Sequence, residues 1–226
     1  MKVVLFSLNG SYSHTCLALR CLRAPLERAG YETVLIENNL RDMSAFVLSR
    51  LYAERAEVYG FSCYIWNISQ MLDIAADLKA LLPQSKIVLG GPEVSFERER
   101  FDLDFIDCIV SGEGEGVIVD ICDRIRSGLP IDRFIDGGCA DAMSDEGILY
   151  RDGDFEGGTM LYYESSRGCP YKCAYCLSSA TSGVRAKDVE QTLADLRAFE
   201  SLSNNIKIIK FVDRTFNFDI KRANAI

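Results

Sequence analysis

The chain reads as an α/β protein: a doubly wound parallel sheet of five strands, then the start of a second parallel strand–helix unit. Three observations predict this. Short apolar runs alternate with stretches of helical period across residues 1–126. Glycine clusters follow the fourth and fifth runs, as Gly90-Gly91 and Gly112-Glu-Gly114-Glu-Gly116. After a stretch carrying several Gly and Asp, the alternation restarts at Leu161.

The elements follow in order. Val3–Leu8 is a buried strand. Residues 16–28 place Leu19, Leu22 and Leu26 on one helical face, and Gly30 caps the helix. Glu32–Glu37 is the second strand, and Ser44–Glu54 is a helix expected to turn Phe46, Val47 and Leu51 inward. Val58–Cys63 is the third strand. Ile68–Leu82 is a helix stopped by Pro83. Lys86–Leu89 and Phe105–Val110 are strands four and five, and Gly116–Arg126 is the closing helix. Residues 127–160 read as a linker, with a hairpin over 147–155 turned at Asp152-Gly153. In the second unit, residues 161–226, Leu161–Ser165 is a strand, Asp188–Leu202 a helix, Ile206–Val212 a β-branched strand and Asp219–Ile226 a helix. The strand at 206–212 is expected to present an unpaired edge, through which a second copy of the chain would form a homodimer.

Bulk properties exclude some functions. The 226 residues carry 33 acidic against 25 basic side chains, a net charge of −8. That balance disfavours a broad footprint for nucleic acid or an anionic membrane. Nine cysteines without a secretory signal imply a reducing compartment, so the expected location is the cytoplasm. The apolar run at Met1–Leu8 ends at Asn9-Gly10, too early for a signal core. No run is long enough to span a bilayer.

The chemistry concentrates in one loop. Cys169, Cys173 and Cys176 stand in a C-x3-C-x2-C spacing within Gly168-Cys-Pro-Tyr-Lys-Cys-Ala-Tyr-Cys176. Three thiolates so close can converge on one soft metal centre. A structural zinc needs four ligands. The single histidine, His14, is far upstream, and no cysteine follows Cys176. The four-cysteine ferredoxin spacing is absent. Three thiolates on a cubane [4Fe-4S] cluster leave one iron open, which reads as reactive.

This loop resembles the cluster loop of the radical S-adenosylmethionine (radical SAM) family, in which an aromatic residue precedes the last cysteine, as Tyr175 does. The resemblance implies that the open iron chelates SAM and that one electron cleaves its sulfonium, giving methionine and a 5'-deoxyadenosyl radical. Tyr175 and Asp213 then fall at the SAM site, with Asp213 matching the position that meets the SAM amino group. The run Asp213-Arg-Thr-Phe-Asn departs from the Gly-Gly-Glu form common in that family. A full barrel there has about six strand–helix units by the same resemblance, so residues 161–226 are expected to be the start of a (β/α) barrel and the chain an N-terminal piece.

The first 125 or so residues resemble the Rossmann-like cobalamin-binding domain that precedes the radical SAM barrel in one subfamily. Gly60-Phe-Ser-Cys-Tyr-Ile-Trp-Asn67, Gly90-Gly-Pro-Glu93 and Ser111-Gly-Glu-Gly-Glu115 carry that likeness. It assigns Ser62, Gly90, Gly91, Gly112 and Gly114 to cobalamin. His14 is a weaker candidate. The D-x-H-x-x-G motif fails around it, with Tyr12 and Leu17 at the Asp and Gly positions. The implied activity is cobalamin-dependent radical methylation or rearrangement of an unactivated carbon in a small-molecule or unknown substrate. An electron donor such as a flavodoxin or ferredoxin is implied too. The alternatives are a methylthiotransferase, for which Cys16 and Cys63 lack a third cysteine, and a non-catalytic cobalamin-binding module.

Overall fold

Strand β1 (Lys2–Asn9) explains the centre of the first unit. Val4, Phe6 and Leu8 enter one hydrophobic cluster, while Val3 and Leu5 enter another. A strand apolar on both faces must lie inside a parallel sheet covered on both sides. The computed structural model describes residues 1–139, 149–151, 154, 160–180, 183–202 and 208–226. It divides into two units, residues 1–12 with 16–140, and residues 13–15 with 141–226.

In the first unit, α1 (Leu17–Arg28), β2 (Glu32–Asn39), α2 (Ser44–Glu54), β3 (Val58–Ser62), α3 (Ile68–Leu81), β4 (Lys86–Gly90), β5 (Cys108–Ser111), α4 (Ile118–Arg126) and β6 (Phe134–Asp136) follow β1. The sheet order is β2-β1-β3-β4-β5-β6, and every pairing is parallel. Residues of α2 and α3 lie in the cluster with Val4 and Phe6, and those of α1 and α4 in the cluster with Val3 and Leu5. The sheet is therefore doubly wound. Each fully buried Leu, Ile, Val or Phe contributes about 1.5–3 kcal/mol relative to exposure.

Three expectations change. The sheet has six strands, since Phe134–Asp136 pairs with β5 inside the stretch read as linker. Phe46 is 52% exposed, while Val47 and Leu51 are buried. One residue turns a helix by roughly 100°, so a stripe through 47 and 51 leaves 46 outside. The fifth strand begins at Cys108 rather than Phe105. The hairpin turn at Asp152-Gly153 lies outside the described residues.

In the second unit, β7 (Met160–Tyr163) pairs in parallel with β10 (Ile208–Phe211), and β8 (Ser166–Gly168) pairs antiparallel with β9 (Val184–Ala186). Helices α5 (Val189–Leu202) and α6 (Ile220–Ala225) complete it. The strand expected to be unpaired thus has β7 along one side. Its first two expected residues, 206 and 207, lie outside the described residues. Asp219 caps α6, accepting from the Lys221 and Arg222 amides. Phe199 packs edge-on against Tyr163 and Tyr150, which gives α5 its seat. Among the described residues, no helix is long and apolar enough to cross a membrane.

Candidate cofactor sites

Sheet order places the topological switch point between β1 and β3, where open α/β sheets bind ligands at the carboxyl ends of their strands. Asn67 holds that point together. It is 1% exposed, and its amide donates to the Leu8 carbonyl (3.2 Å) and the Ser62 carbonyl (3.1 Å). Its Oδ1 accepts from the Tyr64 amide at 2.8 Å. Ser62 is buried, with its hydroxyl 3.7 Å from the Cys16 thiol. The adjacent Cys16 thiol, together with burial, pushes the Tyr64 hydroxyl well up. The Tyr64 ring stacks on Trp66 at 4.5 Å, and Trp66 is 55% exposed.

A second polar knot closes the β1–β2 end. Glu37 accepts from Asn9 Nδ2, the Cys16 amide and Arg20 Nη1, each at 2.6 Å. The first two bonds reach one carboxylate oxygen and the third the other, so the β2 strand end holds the start of α1.

The candidate glycines do different work. A side chain on Gly90 would meet nothing within 4 Å, so its backbone faces open space. Gly91 has φ +109°, and a Cβ there would sit 2.5 Å from the Cys63 carbonyl oxygen. Gly91 is required by the fold itself. Gly112, at φ +80°, lies against Gly138, whose oxygen a Cβ would approach to 3.0 Å. Gly114 sits against Leu22 of α1. Burial pushes the Cys63 thiol up to about 12, which makes it inert.

Two groups missed in the sequence join these loops. Ser95 Oγ donates to the Gly91 carbonyl at 2.9 Å and accepts from the Gly112 amide at 3.1 Å. Gly137 and Gly138, following β6, lie on the β5 loop: Gly137 donates to the Ser111 carbonyl at 2.8 Å, and Gly138 accepts from Glu113 at 3.3 Å. A serine four residues past a Gly-Gly pair gives no sequence signal, whereas the Gly137-Gly138 pair after Phe134-Ile135-Asp136 marks a turn, though not the strand before it.

In the second unit, the β8–β9 pair closes the base of the cysteine loop. Gly168 has φ +91°, and a Cβ would lie 2.1 Å from the Gly183 oxygen, so only glycine fits. Cys169 is partly buried, while Cys173 and Cys176 are exposed, and all three thiols are free. A turn joins Cys176 N to Cys173 O at 3.1 Å. Hydrogen bonds from the Ser178 backbone and hydroxyl hold the Cys176 thiol below its ordinary range, and Arg214 adds to this. Among the described residues, no three His, Cys, Asp or Glu side chains converge as a metal site. The donor chemistry nevertheless fits an iron–sulfur group: three soft donors, none in a disulfide, on one loop with a pinned base.

Asp213 sits where the sequence placed it, at the end of β10, but its carboxylate is engaged. It accepts from the Ser165 amide (2.8 Å), the Ser165 hydroxyl (2.5 Å) and the Ser166 hydroxyl (2.7 Å). Tyr175 is 94% exposed. His14 belongs to the second unit, with its ring edge-on to Tyr162 at 5.6 Å. Thr215, unmarked in the sequence, has its hydroxyl 3.3 Å from Cys169 Sγ.

Fold and strand-end loops together define an open α/β cofactor-binding domain. A family model described as "B12 binding domain" matches residues 3–121, and the chain belongs to that family. It is 27% identical over 205 residues to the hopanoid C-3 methylase of Methylococcus capsulatus, covering 80% of this chain and 39% of the relative. It is 26% identical over 168 residues to the cobalamin-dependent radical SAM methyltransferase TokK of Streptomyces tokunonensis, covering 62% of this chain and 24% of that protein. The radical SAM methyltransferase TsrM from Kitasatospora setae, solved with cobalamin and a [4Fe-4S] cluster bound, superposes with a TM-score of 0.78 at 17% identity, over 99% of this chain and 51% of that one. The expected kinship and the α/β fold are borne out. The chain spans about half or less of the length of each of these proteins.

Proposed function

We propose that the chain is the N-terminal part of a cobalamin-dependent radical SAM methyltransferase acting on a small molecule. One observation carries this: a B12-binding domain shares its chain with a C-x3-C-x2-C loop of free thiols seated on a strand-end hairpin. The curated relatives named methylase or methyltransferase support methyl transfer as the reaction class.

Residues 1–126, with β6 added, hold cobalamin at the ends of β3, β4 and β5. Ser62, Gly90, Gly91, Gly112 and Gly114 line that end, with Gly90 permitting close backbone approach. His14 does not ligate the cobalt, because the motif around it fails. Residues 161–226 begin the radical SAM domain. Cys169, Cys173 and Cys176 hold three irons of a [4Fe-4S] cluster, and Tyr175 and Asp213 border the SAM site. When bound, these groups supply one-electron reduction of the SAM sulfonium and a carrier for the methyl group. A flavodoxin or ferredoxin supplies the electron.

Anaerobic reconstitution with iron and sulfide tests the reading, together with titration by hydroxocobalamin. The chain should take up about four irons, seen as absorbance near ~400 nm. Changing any one of Cys169, Cys173 or Cys176 to Ala should sharply lower iron content, while Cys21→Ala and Cys122→Ala should leave it unchanged. Equal iron in Cys173→Ala and the parent would refute the cluster. Failure to bind hydroxocobalamin would refute the cobalamin assignment.

A further inference from the structure

The segment after β10 runs alongside the segment after β7 and is stitched to it stepwise. The Val212 amide donates to the Tyr163 carbonyl at 2.9 Å. Asp213 then takes the three hydrogen bonds from Ser165 and Ser166. Two residues on, the Thr215 hydroxyl meets Cys169 Sγ at 3.3 Å. Thr215 is itself fixed by a turn, its carbonyl accepting from the Phe218 amide at 3.2 Å. The Thr215 contact is thus the last of a continuous series in which each step holds the next in register.

We propose that Thr215 is a positioning residue that donates a hydrogen bond to the Cys169 sulfur and sets the reduction potential of the cluster held there. This rests on the cluster assignment above. In the metal-free chain either partner can donate. An iron-bound cysteine is a thiolate, with no proton to give, so the hydroxyl must be the donor. Hydrogen bonds to cluster sulfurs are among the factors that set the potential, because reduction adds negative charge that a donor stabilises. Loss of the hydroxyl therefore disfavours the reduced state. Asp213 acts one step further out, by fixing where the Thr215 hydroxyl lies.

The test uses the full 226-residue chain, reconstituted anaerobically, with Thr215→Val and Thr215→Ser beside the parent. Iron and sulfide content and the thermal midpoint are measured first. A potentiometric titration followed by electron paramagnetic resonance then gives the one-electron midpoint potential. Thr215→Val, nearly isosteric but without the hydroxyl, should shift to a more negative potential, and Thr215→Ser should stay near the parent. Loss of the cluster from the valine variant alone, with its thermal midpoint unchanged, also supports the contact. A valine variant with the parent's potential overturns the inference, as does loss of the cluster from both variants. A parent that takes up no iron and sulfide overturns the cluster assignment and this inference with it, so the two failures are distinguishable by iron content.

Discussion

Gly90 and Gly91 are neighbours in sequence, yet the structure gives them separate duties that a pair of alanine substitutions resolves. Gly91→Ala places a Cβ 2.5 Å from the Cys63 carbonyl oxygen and 2.9 Å from its nitrogen, at φ +109°. The backbone conformation alone costs roughly 1–2 kcal/mol for a residue with a side chain. Relieving the overlap costs about another 1–3 kcal/mol, since both opposing atoms are backbone and cannot rotate away. The sum is about 2–5 kcal/mol, or roughly 5–15 °C in thermal midpoint for a chain of this size. Gly90→Ala meets nothing within 4 Å, so its effect on stability should stay within about 0.5 kcal/mol. Thermal unfolding followed by Trp66, the one tryptophan of the chain, reads the unit that contains both glycines. Hydroxocobalamin titration of the folded Gly90→Ala protein should show weakened binding with an unmoved midpoint. If Gly91→Ala melts with the parent, or Gly90→Ala is the more damaged of the two, the division of roles is wrong.

Two further outcomes follow from polar groups in the same unit. Ser95→Ala removes the hydroxyl that joins the Gly91 and Gly112 turns, and at about 1 kcal/mol for each of the two bonds should weaken hydroxocobalamin binding by up to about thirtyfold; quenching of Trp66 measures it, and unchanged affinity would show that the turns hold without the link. Burial pushes the Asp107 carboxyl up, but hydrogen bonds from Lys79, the Ile87 amide and Lys86 outweigh it and leave the group below its ordinary 3.8. Its stabilisation is present above that value and lost as pH falls through the lower folded value. Asp107→Asn should therefore cost about 1–3 kcal/mol at pH 7, with the gap to the parent closing below about pH 4. A gap that stays constant in urea unfolding from pH 7 to pH 3 would contradict that charge balance.

The first unit was legible because its strands are apolar on both faces and its helices carry periodic stripes. These local patterns report burial directly, as Val3–Leu8 and Ser44–Glu54 show. Strand β6 was not legible. Phe134–Asp136 is three residues long, preceded by Asp132 and Arg133, and exists only because β5 offers a free edge. The β8–β9 pair is hidden for the same reason. Ser166-Arg-Gly168 and Val184-Arg-Ala186 are three residues each, too short for a period to register, and what joins them is the approach of Gly168 to Gly183.

The site divides along the same line. Residue type and spacing marked the thiols, because three soft donors within eight residues are informative before any fold is known. What surrounds them depends on contacts between distant segments. Asp213 shows the difference. Its place at a strand end could be read, but not that Ser165 and Ser166 supply three donors to it across 47 and 48 residues. A carboxylate offers about four lone-pair positions, so Asp213 retains room for roughly one more donor. An ammonium has three hydrogens to place, and Asp213 could satisfy only one of them. The carboxylate is therefore committed first to holding the β10 end against the β7 end. Any role toward an amino group draws on what remains, and the other two hydrogens need acceptors elsewhere.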